Sequence, residues 1–203
     1  MFVGVCCGGY ANGESPALVQ MVNPFSTKFW ASGTIPFHFL EQGESIHTLL
    51  EKTERNHVWQ IVGPHGSGKS TLLSELGKRY ESSGKNVRYL SFNDQHRRLP
   101  RDITFQADQT LFIDGFEQLQ PIHRVWLQFW AKRLIVTVHR PIWFVSILYR
   151  TNPQFSIFVQ IVRQITPTPP EESVLRTIYE RSSGNFRNAF FELYDMFAEP
   201  SES

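Results

Sequence analysis

Residues 63–71, the glycine-rich loop, read GPHGSGKST and constrain the fold more than any other part of the chain. A continuous apolar run, VWQIV at residues 58–62, comes directly before the loop, as is typical of a strand buried on both faces. The residues that follow place several leucines on one face of a helix predicted over residues 70–82. This order of strand, glycine-rich turn and helix predicts an α/β protein built on a parallel sheet.

The residue types in the glycine-rich loop suit the binding of a phosphate chain. Gly63, Gly66 and Gly68 permit backbone conformations that a Cβ atom would obstruct, so that successive N–H groups and the next helix N-terminus can face an anion. Lys69 supplies a positive charge for the β- and γ-phosphates, and the Ser70 hydroxyl is a ligand for Mg²⁺. The pattern GxxxxGK[ST] is a P-loop and predicts that ATP with Mg²⁺ binds to Gly63, Pro64, His65, Gly66, Ser67, Gly68, Lys69, Ser70 and Thr71.

Strands and helices alternate along the first three quarters of the chain. Hydrophobic periodicity predicts helices at residues 44–55 and 121–133, and further strands at residues 86–92, 110–113, 134–139 and within 143–149. Such alternation predicts a three-layer P-loop NTPase sandwich, with a mostly parallel five-stranded sheet, helices on both faces and a small C-terminal helical lid.

The two ends of the chain depart from this alternation. The aromatic segment 23–39 is interrupted by proline and glycine, and we expect it to lie extended on the surface. Thr151 is predicted to be the N-cap of a helix with Pro153 in its first turn, and short helices are predicted at 171–181 and 185–197. We divide the chain into a flexible segment (1–20), a nucleotide-binding domain (21–165) and a helical lid with a tail (166–203).

An apolar strand ends in a carboxylate at residues 110–114, which read TLFID. In proteins with this type of loop an aspartate at such a position helps to hold magnesium, so that Asp114 is the predicted second metal ligand beside Ser70. Glu117 lies three residues further along. It is either the catalytic base or a solvated residue in the first turn of a helix.

The chain resembles the AAA+ and related signal-transduction ATPases. The resemblance rests on the glycine-rich loop, on Asp114 with one strand between the two motifs, on Thr137 and His139 at the end of the fourth strand, and on SGNFR at 183–187. In that family a polar residue ending the fourth strand senses the γ-phosphate, and we expect only one of the two candidates to face the site. The Gly-Asn-x-Arg pattern resembles that of the family's lid, which implies that Arg187 reaches the nucleotide; the alternative is an ordinary arginine on a helix face. The predicted catalytic residues are Lys69, Glu117, Thr137 and His139.

Two departures limit this resemblance. Gly115 follows Asp114, where the family has a glutamate that primes water. Too few residues separate the fourth and fifth strands to form the helix that carries the intersubunit arginine finger of ring-forming motors. The resemblance therefore implies a minimal AAA-like ATP-binding protein, a slow ATPase or a nucleotide-dependent switch, and not a hexameric ring.

Two other functions fit the same loop. A small-molecule or nucleotide kinase would close an arginine-rich lid over the phosphates, and the basic residues 96–101 are either that lid or a solvated loop. A non-hydrolysing binding module would dock on a protein partner through the aromatic helix at residues 122–130. We expect that helix to pack on the sheet instead, because most of the 17 Phe and five Trp must be buried.

Composition narrows the remaining possibilities. A net charge of +1 carries no strong signal for nucleic-acid binding. The only two cysteines, Cys6 and Cys7, are adjacent, so we expect neither a structural disulfide nor a zinc site. This cysteine usage favours a reducing compartment, and we expect a cytoplasmic location. The chain shows neither a signal-peptide pattern nor a long apolar run, and we expect no membrane association.

Overall fold

The computed structural model describes residues 23–30, 33–40, 43–100, 106 and 108–198. The segment that we predict to be flexible, residues 1–20, lies outside these residues. The strands are β1 (Val58–Val62), β2 (Val87–Ser91), β3 (Thr110–Asp114), β4 (Arg133–Val138) and β5 (Ser146–Arg150). The helices are α1 (Thr27–Trp30), α2 (Ile46–Thr53), α3 (Lys69–Ser82), α4 (Pro121–Trp130), α5 (Phe155–Ile165), α6 (Glu172–Arg181) and α7 (Phe186–Ala198).

The five strands form one parallel sheet in the order β2-β3-β4-β1-β5, and the predicted fold class is confirmed. β1 lies between β4 and β5, and β3 lies on the far side of β4. Because all the strands run the same way, their carboxyl ends meet at one edge of the sheet, where the loops of an α/β protein form its binding sites. The glycine-rich loop, Asp114 and the end of β4 therefore come together at that edge.

α3 covers one face of the sheet, together with α2. Leu72, Leu76 and Tyr80 of α3 are buried against Trp59 and Ile61 of β1. The N-terminus of α2 is closed by a reciprocal capping box, in which the Ser45 and Thr48 side chains each accept a backbone N–H of the other residue. This packing holds α3, and thus the loop at its N-terminus, in place against β1.

The other face of the sheet is covered by a 3-10 turn (Phe116–Gln118), by α4 and by the connection from β4 to β5. α4 packs on the sheet through Leu127, its only buried residue, but the expectation that its aromatic side chains are buried there is wrong, because Trp126, Phe129 and Trp130 are exposed. α4 is also shorter than predicted and ends at Trp130. Arg133 already belongs to β4, where it forms a bidentate ion pair with Glu54.

α5, α6 and α7 share a separate hydrophobic core with the beginning of the described chain. Phe25 is fully buried in that core, so segment 23–39 does not simply lie on the surface as expected, and α1 forms within it. The domain boundary after residue 165 stays a prediction, although α5 packs on α6.

The helix predicted to begin with Thr151 as its N-cap begins later, at Phe155 with Gln154 before it. Thr151 is buried instead, and its backbone N–H donates to the Val62 carbonyl at 2.8 Å. The predicted N-cap was therefore wrong, because tertiary contacts with β1 hold this threonine in an extended conformation. Within the described residues no helix has the length and apolar character that crossing a membrane requires.

Candidate functional site

The glycine-rich loop turns from β1 into α3 through two glycines in the left-handed region. Gly66 has φ +68° and Gly68 has φ +87°, a conformation that side chains rarely adopt. Gly68 is the N-cap of α3, so the first N–H groups of this 14-residue helix have no side-chain cap from that position. Helix N-terminal N–H groups without a side-chain cap are able to bind an anion.

The base of the loop is held by buried hydroxyl groups. Ser67 Oγ donates to the Pro64 carbonyl at 2.8 Å and lies 2.6 Å from Thr151 Oγ1. A Cβ atom at Gly63 would collide with the same threonine, which explains why this position is glycine. The threonine was not predicted to belong to the site, and a polar residue directly after β5 is the signal that could have identified it.

Lys69 is 7% exposed, and its Nζ donates to the Pro64 carbonyl at 2.6 Å. Burial lowers the pKa of this ammonium group, and the negative charges of Glu117 and Asp114 oppose that shift. The lysine is therefore held inside the loop by one neutral acceptor and by two carboxylates nearby, and an anion entering the loop would meet it directly.

Ser70, Asp114 and Thr137 form a continuous hydrogen-bonded group. Ser70 Oγ lies 2.8 Å from Asp114 Oδ2, and Thr137 Oγ1 donates to Asp114 Oδ1 at 2.6 Å. A carboxylate and a hydroxyl oxygen are the ligand types that Mg²⁺ prefers, completed by water and phosphate oxygens. Among the described residues no group of three or more His, Cys, Asp or Glu side chains is arranged for a metal.

Glu117, His139 and His65 form a second group beside Lys69. Glu117 Oε1 contacts His139 Nδ1, and the two imidazole rings stack with centroids 3.6 Å apart. The expectation that only one of Thr137 and His139 faces the site is wrong, because Thr137 donates to Asp114 and His139, directly after β4, contacts Glu117. Among the described residues Glu117 Oε2 is buried without a hydrogen-bond partner, which leaves one carboxylate oxygen able to accept a proton.

The backbone explains why glycine follows Asp114. Gly115 has φ +72°, and a Cβ atom built on it would collide with the Phe92 carbonyl oxygen. Its N–H donates to Thr137 Oγ1 at 2.9 Å, which orients that hydroxyl toward Asp114. A glutamate does not fit at this position, and a second carboxylate beside Lys69 comes instead from Glu117 in the 3-10 turn.

A cavity of about 450 Å³ opens between the glycine-rich loop and the C-terminal helices. Residues 66–71 line one side, and aromatic side chains line much of the rest: Trp30, Phe37, Tyr149, Phe186, Phe190 and Phe191. Phe37 lies against Gly68, and its backbone N–H donates to Glu75 of α3 at 2.8 Å. The cavity has the size and the mixed lining of a small-molecule site.

The C-terminal helices meet the loop through the Gly-Asn-x-Arg segment. Asn185 Oδ1 caps α7 by accepting the Arg187 and Asn188 backbone N–H groups, and the space beside Gly66 is filled by this same asparagine. Arg187 is exposed and lines the cavity, and its charge is close enough to lower the pKa of Lys69. The sequence pattern identified the arginine, but not the asparagine that joins the lid to the loop.

The described part of the basic loop, residues 96–100, which by sequence is either a kinase lid or a solvated loop, is mostly exposed and does not line the cavity. Residues 101–105 lie outside the described residues. The contacts made by residues 96–100 therefore do not support the hypothesis that this loop is a kinase lid.

We expect the pKa of His139 to lie below its ordinary value of 6.5, because burial and then the Lys69 charge disfavour the imidazolium, while Glu117 opposes them. Lys69→Met should raise this pKa, whereas Lys132→Met, at the opposite edge of the sheet, should not. Histidine NMR titration measures the pKa of His139 in both variants. Because the folded state binds this proton more weakly, His139 lowers the free energy of unfolding as the pH falls below about 6.5. An unchanged His139 pKa in Lys69→Met would contradict this electrostatic contact.

No family model matches the chain, and no curated protein matches it in sequence. Among solved structures it is similar to AMPPCP-bound DnaA from Aquifex aeolicus, with a TM-score of 0.53 and 14% sequence identity. The match covers 82% of this chain and 64% of that chain, so this chain spans less than two thirds of the DnaA structure. At this identity the similarity shows the fold alone, an α/β fold with a parallel five-stranded sheet that is consistent with a P-loop NTPase.

Proposed function

We propose that this protein binds ATP with Mg²⁺ at the glycine-rich loop and acts as a slow ATPase or a nucleotide-dependent switch. The observation that carries the proposal is the loop itself, in which left-handed Gly66 and Gly68 precede a buried Lys69 at the N-terminus of α3. The AMPPCP-bound DnaA structure, which shares the fold, supports a triphosphate as the ligand.

Each part of the nucleotide has a partner in this proposal. The loop N–H groups and Lys69 hold the β- and γ-phosphates, and Ser70 and Asp114 hold Mg²⁺, which neutralises phosphate charge when bound. The aromatic side of the cavity takes the base and the sugar, and Arg187 reaches the phosphates from the lid. The site thus combines an anion cradle, a pair of oxygen ligands and an apolar pocket within one cleft.

Glu117 is the proposed catalytic base, with His139 positioning it. In hydrolysis, the free Glu117 Oε2 accepts a proton from water as the water oxygen bonds to the γ-phosphorus and the bond from that phosphorus to the β–γ bridging oxygen breaks, releasing ADP and phosphate. The contact from His139 leaves this oxygen, and not Oε1, as the available acceptor. Thr137 orients Asp114 and so supports the metal side of the site.

Glu117→Gln should bind ATP with nearly unchanged affinity and hydrolyse it roughly 100-fold more slowly, because the amide keeps the shape but loses the proton acceptor. Phosphate release and ATP binding by calorimetry measure the two effects. Glu51→Gln, an exposed α2 residue paired with His47, is the matched control. Unaltered turnover in Glu117→Gln would exclude this base, and wild-type protein that does not bind ATP would refute the whole proposal.

The same assay separates the ATPase from a kinase. An ATPase releases ADP and phosphate from Mg-ATP in buffer alone, whereas a kinase consumes ATP only when an acceptor is added. A protein that retains intact ATP for hours would be a switch without catalytic turnover.

A further inference from the structure

Helix α4 directs its apolar stripe away from the protein. Its large apolar residues recur at the spacing i, i+3, i+4, i+7 and i+8, which normally marks the face that a helix packs on a core. Here the stripe is exposed: Phe129 is 83% exposed and Trp130 is 69% exposed. We call the α4 stripe the set Ile122, Val125, Trp126, Phe129 and Trp130.

The polar side of α4 is turned inward instead. His123 Nδ1 and Arg124 Nε are buried, and neither has a hydrogen-bond partner among the described residues. Burying a polar atom without a hydrogen-bond partner is unfavourable, and exposing large apolar side chains to water gains no free energy. This inverted orientation indicates that a second contact covers the α4 stripe.

A strained turn adds a second apolar element. Phe144 has φ +62°, a left-handed conformation that is rare for a bulky residue, and it is fully exposed at 102% beside exposed Trp143. The buried Gln60 side chain maintains this turn by bonding the Ile142 N–H and C=O and the Val145 C=O at 2.7–2.9 Å. A buried residue of β1 thus holds two aromatic side chains in solvent.

Both elements lie on the same face of the sheet. Leu127 of α4 and Ile142 of the turn pack into one core cluster, the one on the side opposite α3. The α4 stripe alone exposes roughly 700 Å², as judged from the size of its side chains, which exceeds the apolar patch of a typical monomer. It approaches the ~800 Å² that each partner contributes to a standard interface.

We infer that a second copy of this chain covers this face, with the α4 stripes of the two copies packed together across a two-fold axis. Such an interface must complement itself, and an apolar stripe without charges can do so. Arg124 is the only formally charged residue of α4, and its Nε is turned into the protein, which limits repulsion between copies. Trp and Phe are enriched in interfaces, and homodimer interfaces are the most apolar class.

Sedimentation velocity of the full chain tests this inference. The wild type should sediment with twice the 23.5 kDa chain mass, and Phe129→Glu should weaken the dimer at least about 30-fold, since charge would enter the centre of the interface. Phe129 is exposed, so this variant should fold, which circular dichroism checks. Met196→Glu, an exposed apolar position on α7, is the matched control and should remain dimeric.

Three results would overturn the inference. The first is a wild type that is monomeric at its highest soluble concentration. The second is a dimer that persists in each of the two single variants, Phe129→Glu and Phe144→Glu. The third is a monomer that pellets with phosphatidylglycerol vesicles, because the occupant would then be a lipid surface. None of these results depends on nucleotide, so they are separate from a failure of the proposed ATP site.

Discussion

Lys69→Ala should weaken ATP binding roughly 100-fold, the loss of about 2–3 kcal/mol from a charge-assisted contact to phosphate. Lys69 lies inside the loop and is 7% exposed, so that no other described lysine is placed to replace it. Its removal also relieves a desolvation cost, since burial lowers its pKa. The thermal stability of the variant without nucleotide should therefore be unchanged or raised, and calorimetry with ATP measures the affinity.

Lys132→Ala is the matched control for this change. Lys132 is exposed just before β4, at the edge of the sheet opposite to the loop, and its removal alters the net charge equally. ATP affinity should be unaffected there. If Lys69→Ala bound ATP as tightly as the wild type, the glycine-rich loop would not be the triphosphate site.

Gly115→Ala should lower the free energy of unfolding by about 3 kcal/mol or more, through left-handed strain together with a backbone collision. The added Cβ would collide with the Phe92 carbonyl oxygen, which belongs to the backbone and cannot rotate away. Displacement of residue 115 by this collision should also disturb its N–H, which orients Thr137 and, through Thr137, Asp114. Urea unfolding measures the stability, and Mg²⁺-dependent ATP affinity should fall in the same variant.

Gly84→Ala separates the cost of left-handed strain from the cost of the backbone collision. Gly84 has φ +74°, nearly the same as Gly115, but a Cβ there would meet nothing within 4 Å. It should cost only about 1 kcal/mol, the strain of the left-handed conformation alone. Equal losses in the two variants would show that the collision at residue 115 does not occur.

The same geometry explains the main departure from the AAA+ pattern. A glutamate directly after Asp114 would need the conformation and the space that only glycine has at residue 115. Two residues further along, the 3-10 turn brings Glu117 to His139. Sequence spacing alone left the role of Glu117 open, because a shift of two residues around a turn can direct a side chain toward or away from a site.

Local patterns predicted the elements of the sheet well. β1 was predicted with its observed bounds, and the other strands within a few residues, because apolar runs buried on both faces and glycine turns are strong local signals. The errors occurred where tertiary contacts override local preference. Thr151 binds β1 instead of capping a helix, and α4 directs its apolar side outward.

What the sequence by itself determined is the chemistry of the loop. Glycines, a lysine and a hydroxyl in GxxxxGK[ST] between a strand and a helix predict a phosphate cradle, since each residue type acts through its own backbone or side-chain atoms. Which distant residues complete that cradle depends on strand order and on helix orientation. The tertiary structure alone placed Glu117, His139 and Asn185 beside the loop, because contacts between residues far apart in sequence follow from packing and not from local periodicity.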